Sequence, residues 1–340
     1  MSKKFKEKIV EAFIKLGEFL SNPDDDFKRL IKDANNHNAW FNEFEVNRAI
    51  NANANMLNKE DIEFWLSEIN QENENPKKIG LILAGNIPMV GFHDILTVLA
   101  SGHIALIKLS SQDHLLIPAV LNHLIKIEPQ FSYQIKFIER LIDFDAVIAT
   151  GSNNSSRYFD YYFSKVPHII RKNRNSIALL TGQESTDNLK QLGEDIFNYY
   201  GLGCRNISKL YVPKDYVFNH FFESIEEYSK ILNHHKYQNN YDYNKSIYLV
   251  NRNDHLDNGF LLVKKDENLT SPLAVVFYEE YDNLESVTNQ LNAKSEEIQV
   301  VVTQAQINLK IPQVSFGESQ NPKLWDYADG VNTLDFLKSI

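Results

Sequence analysis

The chain of 340 residues is long enough for about two domains, and its 43% hydrophobic and 24% charged residues are typical of a globular protein. A net charge of −10 argues against general nucleic-acid binding, which needs a basic surface to meet phosphates. The single cysteine excludes an intrachain disulfide and a cysteine-based zinc cluster, and it fits a reducing compartment. No apolar run is long enough to span a bilayer, and no signal-type apolar core follows the basic start, so we expect a cytoplasmic protein with no integral membrane segment and no nucleic-acid partner.

The region before residue 78 predicts helices alone. They are expected at 3–20, about 25–34, 43–56 and 59–69. The first has apolar residues at helical spacing, which fits a helix packed on the domain or one lying on a membrane surface. We favour packing, because Glu7, Glu11 and Glu18 would be repelled by anionic lipid. Asn58 precedes the fourth helix and can cap its free backbone amides.

From residue 78 onward, short apolar strands alternate with helices. Strands are predicted at 79–84, 104–109, 134–138, 146–150 and 176–180. Helices are predicted at 89–100, 113–126 and from about 153 to 164. This alternation with short connections indicates a parallel sheet with helices on both faces.

A second alternating set follows. Its helices are predicted at 187–199, 216–232 and 284–291, and its strands at 209–212, 246–250, 272–278 and 298–302. These patterns predict an α/β protein of four parts. They are a helical N-terminal segment packed on the first α/β domain (1–77), that first α/β domain (78–180), a second α/β domain that contains Cys204 (181–314) and a tail that the pattern does not place (315–340).

Cys204 lies in a tight loop, Gly201–Asn206, between a predicted helix and a predicted strand. An isolated cysteine is more often an inert small apolar residue than a nucleophile. The two glycines allow the backbone to approach a ligand closely, and Arg205 could favour the thiolate if its side chain turns inward. These residues alone support a nucleophilic and a structural role about equally.

Three further segments lie at the carboxyl ends of predicted strands, beyond which open α/β sheets bind ligands. Asn86 could donate its side-chain amide to a developing oxyanion, although an ordinary turn before a helix is the simpler explanation. Lys108 could reach ribose hydroxyls or a phosphate, although a surface lysine is the commoner case. Gly151 and Ser152 open a predicted helix whose free amides can bind phosphate.

Several common motifs are missing from the sequence. It contains no P-loop, no G-x-G-x-x-G and no H-E-x-x-H. His234 and His235 are adjacent and cannot share one face of a helix, so we predict a surface pair and no metal site. A histidine distant in sequence could still reach Cys204 in the fold, so a cysteine hydrolase stays open.

Together, and in this order, the segments resemble the motifs of the aldehyde dehydrogenase superfamily. Gly85–Pro88 resembles P-W-N-F-P, and Leu99–Ser111 resembles the stretch from A-x-G-N to K-P-S-E. Thr150–Ser152 resembles F-T-G-S, and Gly203–Cys204 corresponds to the segment around the catalytic cysteine. The resemblance covers the chain from about 78 to 320. It implies an aldehyde dehydrogenase-like α/β fold with two Rossmann-like parallel-sheet domains and a helical N-terminal extension. In that fold 78–180 would be the dinucleotide-binding (cofactor) domain and 181–314 the catalytic domain.

Within that superfamily the chain is most similar to the long-chain fatty acyl-CoA reductase family, whose best-known member feeds fatty aldehyde to bacterial luciferase. The similarity lies in Arg171–Ser176, Gly201–Asn206 and Ser208–Pro213.

Three departures from the superfamily pattern bear on activity. L-E-L-G-G-K contains the Glu that activates water, and here Arg171 falls near its place, which fits an acyl-enzyme that is reduced rather than hydrolysed. Ser111 replaces a Glu that would repel a 2′-phosphate, which together with Lys108 implies a preference for NADPH over NADH. Asn268 stands near the Glu of E-x-F-G-P that normally holds the nicotinamide ribose.

The resemblance implies reduction of a fatty acyl thioester, a CoA or acyl-carrier ester, to a fatty aldehyde by NADPH through an acyl-cysteine on Cys204. Asn86 and the Cys204 backbone amide would stabilise the oxyanion. The implied cofactor contacts are Lys108, Ser111, Gly151 and Ser152. Because the superfamily usually forms dimers or tetramers, we expect a homo-oligomer. A thiol acyltransferase or hydrolase without hydride transfer, and a non-catalytic nucleotide-binding protein, stay open as alternatives.

Overall fold

The structure, a computed structural model, describes the backbone of residues 2–67, 69, 73–151 and 153–340, and their side chains apart from those of 2–5, 153 and 154. The chain divides into two units, residues 1–173 with 322–340, and residues 174–321. The division falls between Asn173 and Arg174, whereas the sequence pattern predicts a boundary at 180. Most of the tail 315–340 belongs to the first unit.

The first unit begins with the predicted helices and continues as strand–helix alternation. Its helices are α1 (Ser2–Ser21), α2 (Asp25–His37), α3 (Glu43–Met56), α4 (Lys59–Trp65), α5 (Phe92–Ala100), α6 (Leu116–Ile127), α7 (Phe131–Gln134) and α8 (Asn153–Phe163). Its strands are β1 (Lys78–Ile82), β2 (Ile104–Lys108), β3 (Ile135–Phe137), β4 (Ala146–Thr150) and β5 (His168–Arg171). As predicted, Asn58 caps α4, its side chain accepting from the amide of Asp61 at 2.9 Å.

The strands of the first unit form a parallel sheet in the order β3-β2-β1-β4-β5. Ile82 at the end of β1 aligns with Lys108 of β2 on one side and with Ala149 of β4 on the other. The sequence pattern did not reveal β5, which is only four residues long and pairs with β4 up to Arg171. The strand order reverses between β1 and β4, and doubly wound sheets bind ligands outside the carboxyl ends of the strands at such a point.

The N-terminal helices share one hydrophobic core with this sheet. Phe13, Leu16 and Leu20 of α1 are fully buried in it. The ring of Phe13 stacks on that of Phe131 with centroids 6.0 Å apart. The apolar face of α1 is thus covered by other residues of the first unit. In the described part of the chain no helix combines the length and the apolar character needed to cross a membrane.

The second unit contains the second alternating set. Its helices are α9 (Thr186–Phe197), α10 (Asn219–Ser224), α11 (His235–Val250) and α12 (Leu284–Ala293), with 3-10 turns at Asn198–Gly201 and Glu226–Asn233. Its strands are β6 (Asn175–Leu179), β7 (Ile207–Pro213), β8 (Leu256–Asp257), β9 (Leu262–Lys265), β10 (Val275–Tyr281), β11 (Ile298–Val302) and β12 (Gln313–Val314). The sheet order is β12-β11-β6-β7-β10-β9-β8, parallel except for β8.

The predicted strand 246–250 is wrong, because these residues are the last turn of α11. Tyr237, Tyr241, Asn244 and Tyr248 form the buried face at helical spacing, and polar atoms on all four obscured that period in the sequence. The predicted helix 216–232 is two shorter elements, α10 and a 3-10 turn, that meet at Ile225.

The tail returns to the first unit and ends in α13 (Thr333–Lys338). Buried His103, just before β2, donates from Nε2 to the carbonyl of Leu337 at 3.0 Å and accepts at Nδ1 from the amide of Lys77 at 3.0 Å. These bonds fix the neutral tautomer, and burial lowers the pKa of His103.

Candidate active site

The carboxyl edge of the first sheet gathers three of the predicted segments. β1 leads into Asn86, β2 ends at Lys108 and β4 leads into Gly151. Asn86 and Lys108 are exposed, and Gly151 is half-buried. Asn86 and Gly151 follow the two strands at which the order reverses, so they flank the usual dinucleotide position of such a sheet.

Ser111 lies in the turn after β2 and is exposed. Its carbonyl accepts from Nδ1 of His114 at 3.1 Å. The amide of Leu83, the residue after β1, donates to the carbonyl of Lys108, the last residue of β2, at 3.1 Å. The structure therefore holds the predicted cofactor residues Lys108 and Ser111 at the same edge as Asn86.

The segment 85–89 around Asn86 is fixed at both ends. A Cβ on Gly85 would lie 2.5 Å from Oγ of Ser110, so only glycine fits there. Met89 has a φ of +57°, a left-handed conformation that costs a non-glycine residue about 1–3 kcal/mol. Its amide donates to Oδ2 of Asp113 at 2.7 Å. Asp113 is only 3% exposed, and burial raises its pKa to about 6 against the opposing effect of that amide.

Gly151 packs tightly against α8, the helix that follows it. A Cβ there would lie 2.8 Å from the Phe159 ring and 2.9 Å from Cβ of Ser155, so a side chain would push the strand and α8 apart. Such close approach allows free helix amides to meet a phosphate. Ser152, the other predicted phosphate contact, lies outside the described residues.

Cys204 lies in the second unit, in a turn that ends just before β7, and it is exposed. The chain reaches this turn through three consecutive residues of positive φ: Tyr199 at 53°, Tyr200 at 58° and Gly201 at 80°. The carbonyl of Cys204 accepts from Oγ of Ser176 at 2.9 Å. Because this carbonyl is held by β6, the peptide unit that follows the thiol has a defined orientation.

Asn206 organises the cysteine turn. Its side-chain oxygen accepts from the amide of Gly203 at 2.8 Å, closing the turn over Cys204. Its side-chain nitrogen donates to the carbonyls of Asn198 at 2.8 Å and Asp195 at 3.1 Å, at the C-terminal end of α9. The residue is 4% exposed. One buried amide thus joins the end of α9 to the turn that presents the thiol, a role that its place after Cys-Arg did not reveal.

Asp195 is a second buried group near this turn that the sequence did not reveal. It is fully buried in α9, and its carboxylate accepts from the amides of Gly317 at 2.7 Å and Ser319 at 2.9 Å. Burial raises its pKa to about 6, and the two amides partly oppose that rise. Arg205 donates from Nη1 to the carbonyl of Ser319 at 3.4 Å, so its guanidinium contacts the loop that Asp195 holds.

Arg171, near the expected place of a water-activating Glu, is buried in the first unit. Its Nε and Nη2 donate to the two oxygens of Asp94 at 3.1 and 2.6 Å. The guanidinium also donates to Oγ1 of Thr333 at 2.8 Å and to the carbonyl of Ala328 at 2.6 Å. Arginine has no acceptor and stays charged, so this residue cannot take a proton from water.

Asn268, near the expected place of the ribose-binding Glu, is exposed and bonded within its own turn, with Nδ2 donating to Oδ1 of Asp266 at 2.8 Å. Close by, the ammonium of fully buried Lys209 donates to Glu279 at 2.6 Å and to the carbonyl of Glu267 at 2.9 Å. Burial lowers the pKa of Lys209, and Glu279 opposes this shift. Lys209 joins two strands of the sheet core and is a structural residue.

His234 begins α11 as its N-cap, and its ring stacks on that of His235 with centroids 5.4 Å apart. Within the described ranges, no group of three or more His, Cys, Asp or Glu side chains is arranged to hold a metal ion.

Of the predicted cofactor residues, Lys108, Ser111 and Gly151 lie in the first unit, and the predicted nucleophile Cys204 lies in the second. The pairing of Asn86 with Cys204 around one oxyanion stays a prediction.

No protein-family model matches this sequence, and no curated protein matches it either. Solved aldehyde dehydrogenases nevertheless share the fold. An indole-3-acetaldehyde dehydrogenase in complex with NAD+ superposes with a TM-score of 0.71 at 11% identity, over 98% of this chain and 82% of that one. The fold is therefore aldehyde dehydrogenase-like, as the sequence resemblance predicted.

Two further structures agree. Aldehyde dehydrogenase 21 of Physcomitrella patens, in complex with succinate, gives a TM-score of 0.68 at 13% identity and covers 98% of this chain and 84% of its own. An NADP-dependent enzyme of E. coli gives a TM-score of 0.68 at 14% identity, over 93% of this chain and 78% of that one. At these identities the likeness establishes the fold.

Proposed function

We propose that this protein reduces a fatty acyl thioester to a fatty aldehyde with NADPH, through an acyl-cysteine on Cys204. The observation on which the proposal rests is that the buried Arg171 guanidinium is engaged in hydrogen bonds within an aldehyde dehydrogenase-like fold. A guanidinium committed to Asp94, Thr333 and Ala328 replaces the group that would activate water. An acyl-cysteine without a water activator is suited to reduction.

In the first half-reaction the Cys204 thiolate attacks the carbonyl carbon of the acyl thioester. The oxyanion accepts hydrogen bonds from the Asn86 side chain and the Cys204 amide, and losing one such donor typically costs about 3 kcal/mol of barrier. Collapse breaks the carbon–sulfur bond to coenzyme A, or to the acyl carrier, which leaves as a thiolate. The proposal requires Asn86 to reach the acyl group on Cys204.

In the second half-reaction the acyl-cysteine is reduced. NADPH, when bound, supplies the hydride for the thioester carbonyl. The same donors, Asn86 and the Cys204 amide, hold the oxyanion of the resulting thiohemiacetal. Its collapse breaks the carbon–sulfur bond to Cys204, releases the aldehyde and restores the thiolate.

The carboxyl edge of the first sheet suits a dinucleotide. The strand order reverses there, and Gly151 leaves no room for a side chain between β4 and α8. Lys108 and Ser111 are exposed at this edge, and residue 111 brings no carboxylate to repel a 2′-phosphate. We assign NADPH to Lys108, Ser111 and Gly151, together with Ser152 from the sequence.

The test begins with an acyl-CoA that is radiolabelled in its acyl chain and is given to the protein without NADPH. We expect a label on the protein that hydroxylamine removes, and release of the label as aldehyde after NADPH is added. Because the chain has one cysteine, a thioester label reports Cys204 alone. Cys204→Ala is the matched control and should take no label.

The other outcomes identify the rival functions. A label that leaves as free acid or on another acceptor, with no aldehyde, would indicate a thiol hydrolase or acyltransferase. No label and no aldehyde, with dinucleotide binding intact, would indicate a non-catalytic nucleotide-binding protein. Normal aldehyde formation by Cys204→Ala would refute the acyl-cysteine route.

A further inference from the structure

Two loops at the carboxyl edge of the first sheet are joined by one buried carboxylate. Asp113 ends the turn that follows β2 and contains Ser111, and its Oδ2 accepts from the amide of Met89 at 2.7 Å. Met89 ends the segment that contains Asn86. The two bonded residues are 24 positions apart in sequence, so this bond sets the distance between the two loops.

The Asp113 carboxylate bonds the Asn86 segment at Met89, where the backbone conformation is most restricted. Met89 has a φ of +57° and its side chain is 2% exposed in the hydrophobic core, so its amide has one orientation, toward Asp113. At the other end of the segment, Gly85 packs against Ser110 of the same partner loop. Asn86 lies between these two anchors and is itself exposed.

The turn that contains Asp113 is itself well ordered. The amide of Asp113 donates to the carbonyl of Ser110 at 3.2 Å, and the amide of Gln112 donates to Oγ of Ser110 at 3.2 Å. The carbonyl of Gln112 accepts from Nδ2 of Asn38 at 3.3 Å, which attaches the turn to the end of α2. Because its own turn is fixed, Asp113 holds the Asn86 segment in a defined position.

We propose that Asp113 is a positioning residue, which places the Asn86 amide relative to the dinucleotide loop through its bond to the Met89 amide. The proposal rests on the proposed function in one respect, the assignment of Asn86 as oxyanion donor. Asp113 touches neither substrate nor cofactor in this scheme, so its removal should lower kcat through Asn86 and leave the dissociation constant of NADPH nearly unchanged.

The first arm of the test measures hydrogen–deuterium exchange of the Met89 amide and needs no substrate. Asp113→Ala should speed this exchange by roughly 10- to 100-fold, the loss expected for a hydrogen bond to a charged group. Asp113→Asn keeps a side-chain oxygen as acceptor and should retain most of the protection. Unchanged exchange in Asp113→Ala would overturn the proposal, whether or not the protein reduces acyl thioesters.

The matched control is Asp145→Ala. Asp145 also accepts from a backbone amide, that of Lys78 at 2.7 Å through Oδ2, but it is exposed and lies at the amino edge of the same sheet. This variant should leave both the exchange rate of the Met89 amide and kcat at their wild-type values. If it lowers kcat as much as Asp113→Ala does, general destabilisation explains the loss and the proposal fails.

The second arm is kinetic. Asp113→Ala should lower kcat by roughly 10- to 100-fold, since small misplacements of a catalytic group cost that much. In an Asn86→Ala background the same change should have almost no further effect, because the group that it positions is gone. Independent, multiplicative losses would overturn the proposal. Should Asp113→Ala fail to fold, Asp113→Ser, which is too short to reach the amide, replaces it with the same expectations.

The two arms separate the two proposals. If the wild type reduces no acyl thioester, the proposed function fails and the exchange arm alone decides whether Asp113 holds the Asn86 segment. If the wild type is active and the exchange arm fails, the proposed function stands without Asp113.

Discussion

Arg171 and Asp94 form a buried, bidentate ion pair that joins the end of β5 to the first turn of α5, at 3.1 and 2.6 Å. The same guanidinium donates to Thr333 and Ala328 and so holds the returning tail against this unit. The residue near the expected place of a water-activating Glu is thus part of the core. Its guanidinium is committed to these packing contacts.

We expect Arg171→Met to lower the free energy of unfolding by about 3–5 kcal/mol, because it leaves the Asp94 carboxylate buried without its partner. Urea denaturation followed by circular dichroism measures this. The control is Lys172→Met, which removes an exposed partner of Asp160 at 3.8 Å and should change little. Equal losses in the two variants would contradict a special role for the buried pair.

We expect Asn206→Ala to loosen the turn of Cys204 and to lower kcat by roughly 100-fold, since the thiol and its amide lose their fixed position. Stability should also fall, by about 1–3 kcal/mol, because the Gly203 amide and the Asn198 carbonyl lose their partner. Steady-state kinetics and urea denaturation measure the two effects. Asn268→Ala removes an exposed amide bonded only within its own turn and should leave both quantities near the wild-type values.

Asp195 should give the stability of the protein a defined pH dependence. Burial raises its pKa to about 6, so the folded protein binds this proton more tightly than the unfolded chain, whose Asp pKa is about 3.9. The group therefore contributes stability at low pH that is lost as pH rises from about 4 to 6. The free energy of unfolding of the wild type minus that of Asp195→Asn should fall by about 2 kcal/mol across this interval, out of about 3 kcal/mol in total between low and neutral pH.

Urea denaturation of both proteins at pH 4, 5, 6 and 7 tests this prediction. The difference between them cancels the groups that they share, including Asp113, whose pKa is also about 6. A difference that is constant over the interval would show that Asp195 is ionised in the folded protein throughout.

We expect Ser111→Glu to shift cofactor preference toward NADH, lowering the ratio of kcat/KM for NADPH over NADH by roughly tenfold or more, because the new carboxylate repels a 2′-phosphate. Gln112→Glu is the control, since it adds the same charge to the neighbouring exposed residue. An unchanged ratio in Ser111→Glu, or the same shift in both variants, would count against the assignment of the 2′-phosphate to residue 111.

The sequence alone determined the alternation of strands and helices, because apolar periodicity depends on which side chains are buried in each element. It also placed Asn86, Lys108 and Gly151 at the carboxyl ends of strands, and parallel strands bring these ends to one edge whatever the details of packing. Prediction from the sequence failed where buried residues carry polar atoms or where an element is too short to show a period. The tyrosines of α11 are buried with polar atoms attached, and the short β5 lacked a distinct pattern.

The tertiary structure alone decided what the polar residues do. Asp113 bonds an amide 24 residues away, Asp195 bonds one 122 residues away and Arg171 bonds a carbonyl 157 residues away. No local pattern encodes such partners, because a hydrogen bond depends on where the fold brings the second group. The sequence could identify Cys204 and propose its chemistry, whereas the bonds of Asn206 and Ser176 that hold its turn could be found only in the folded chain.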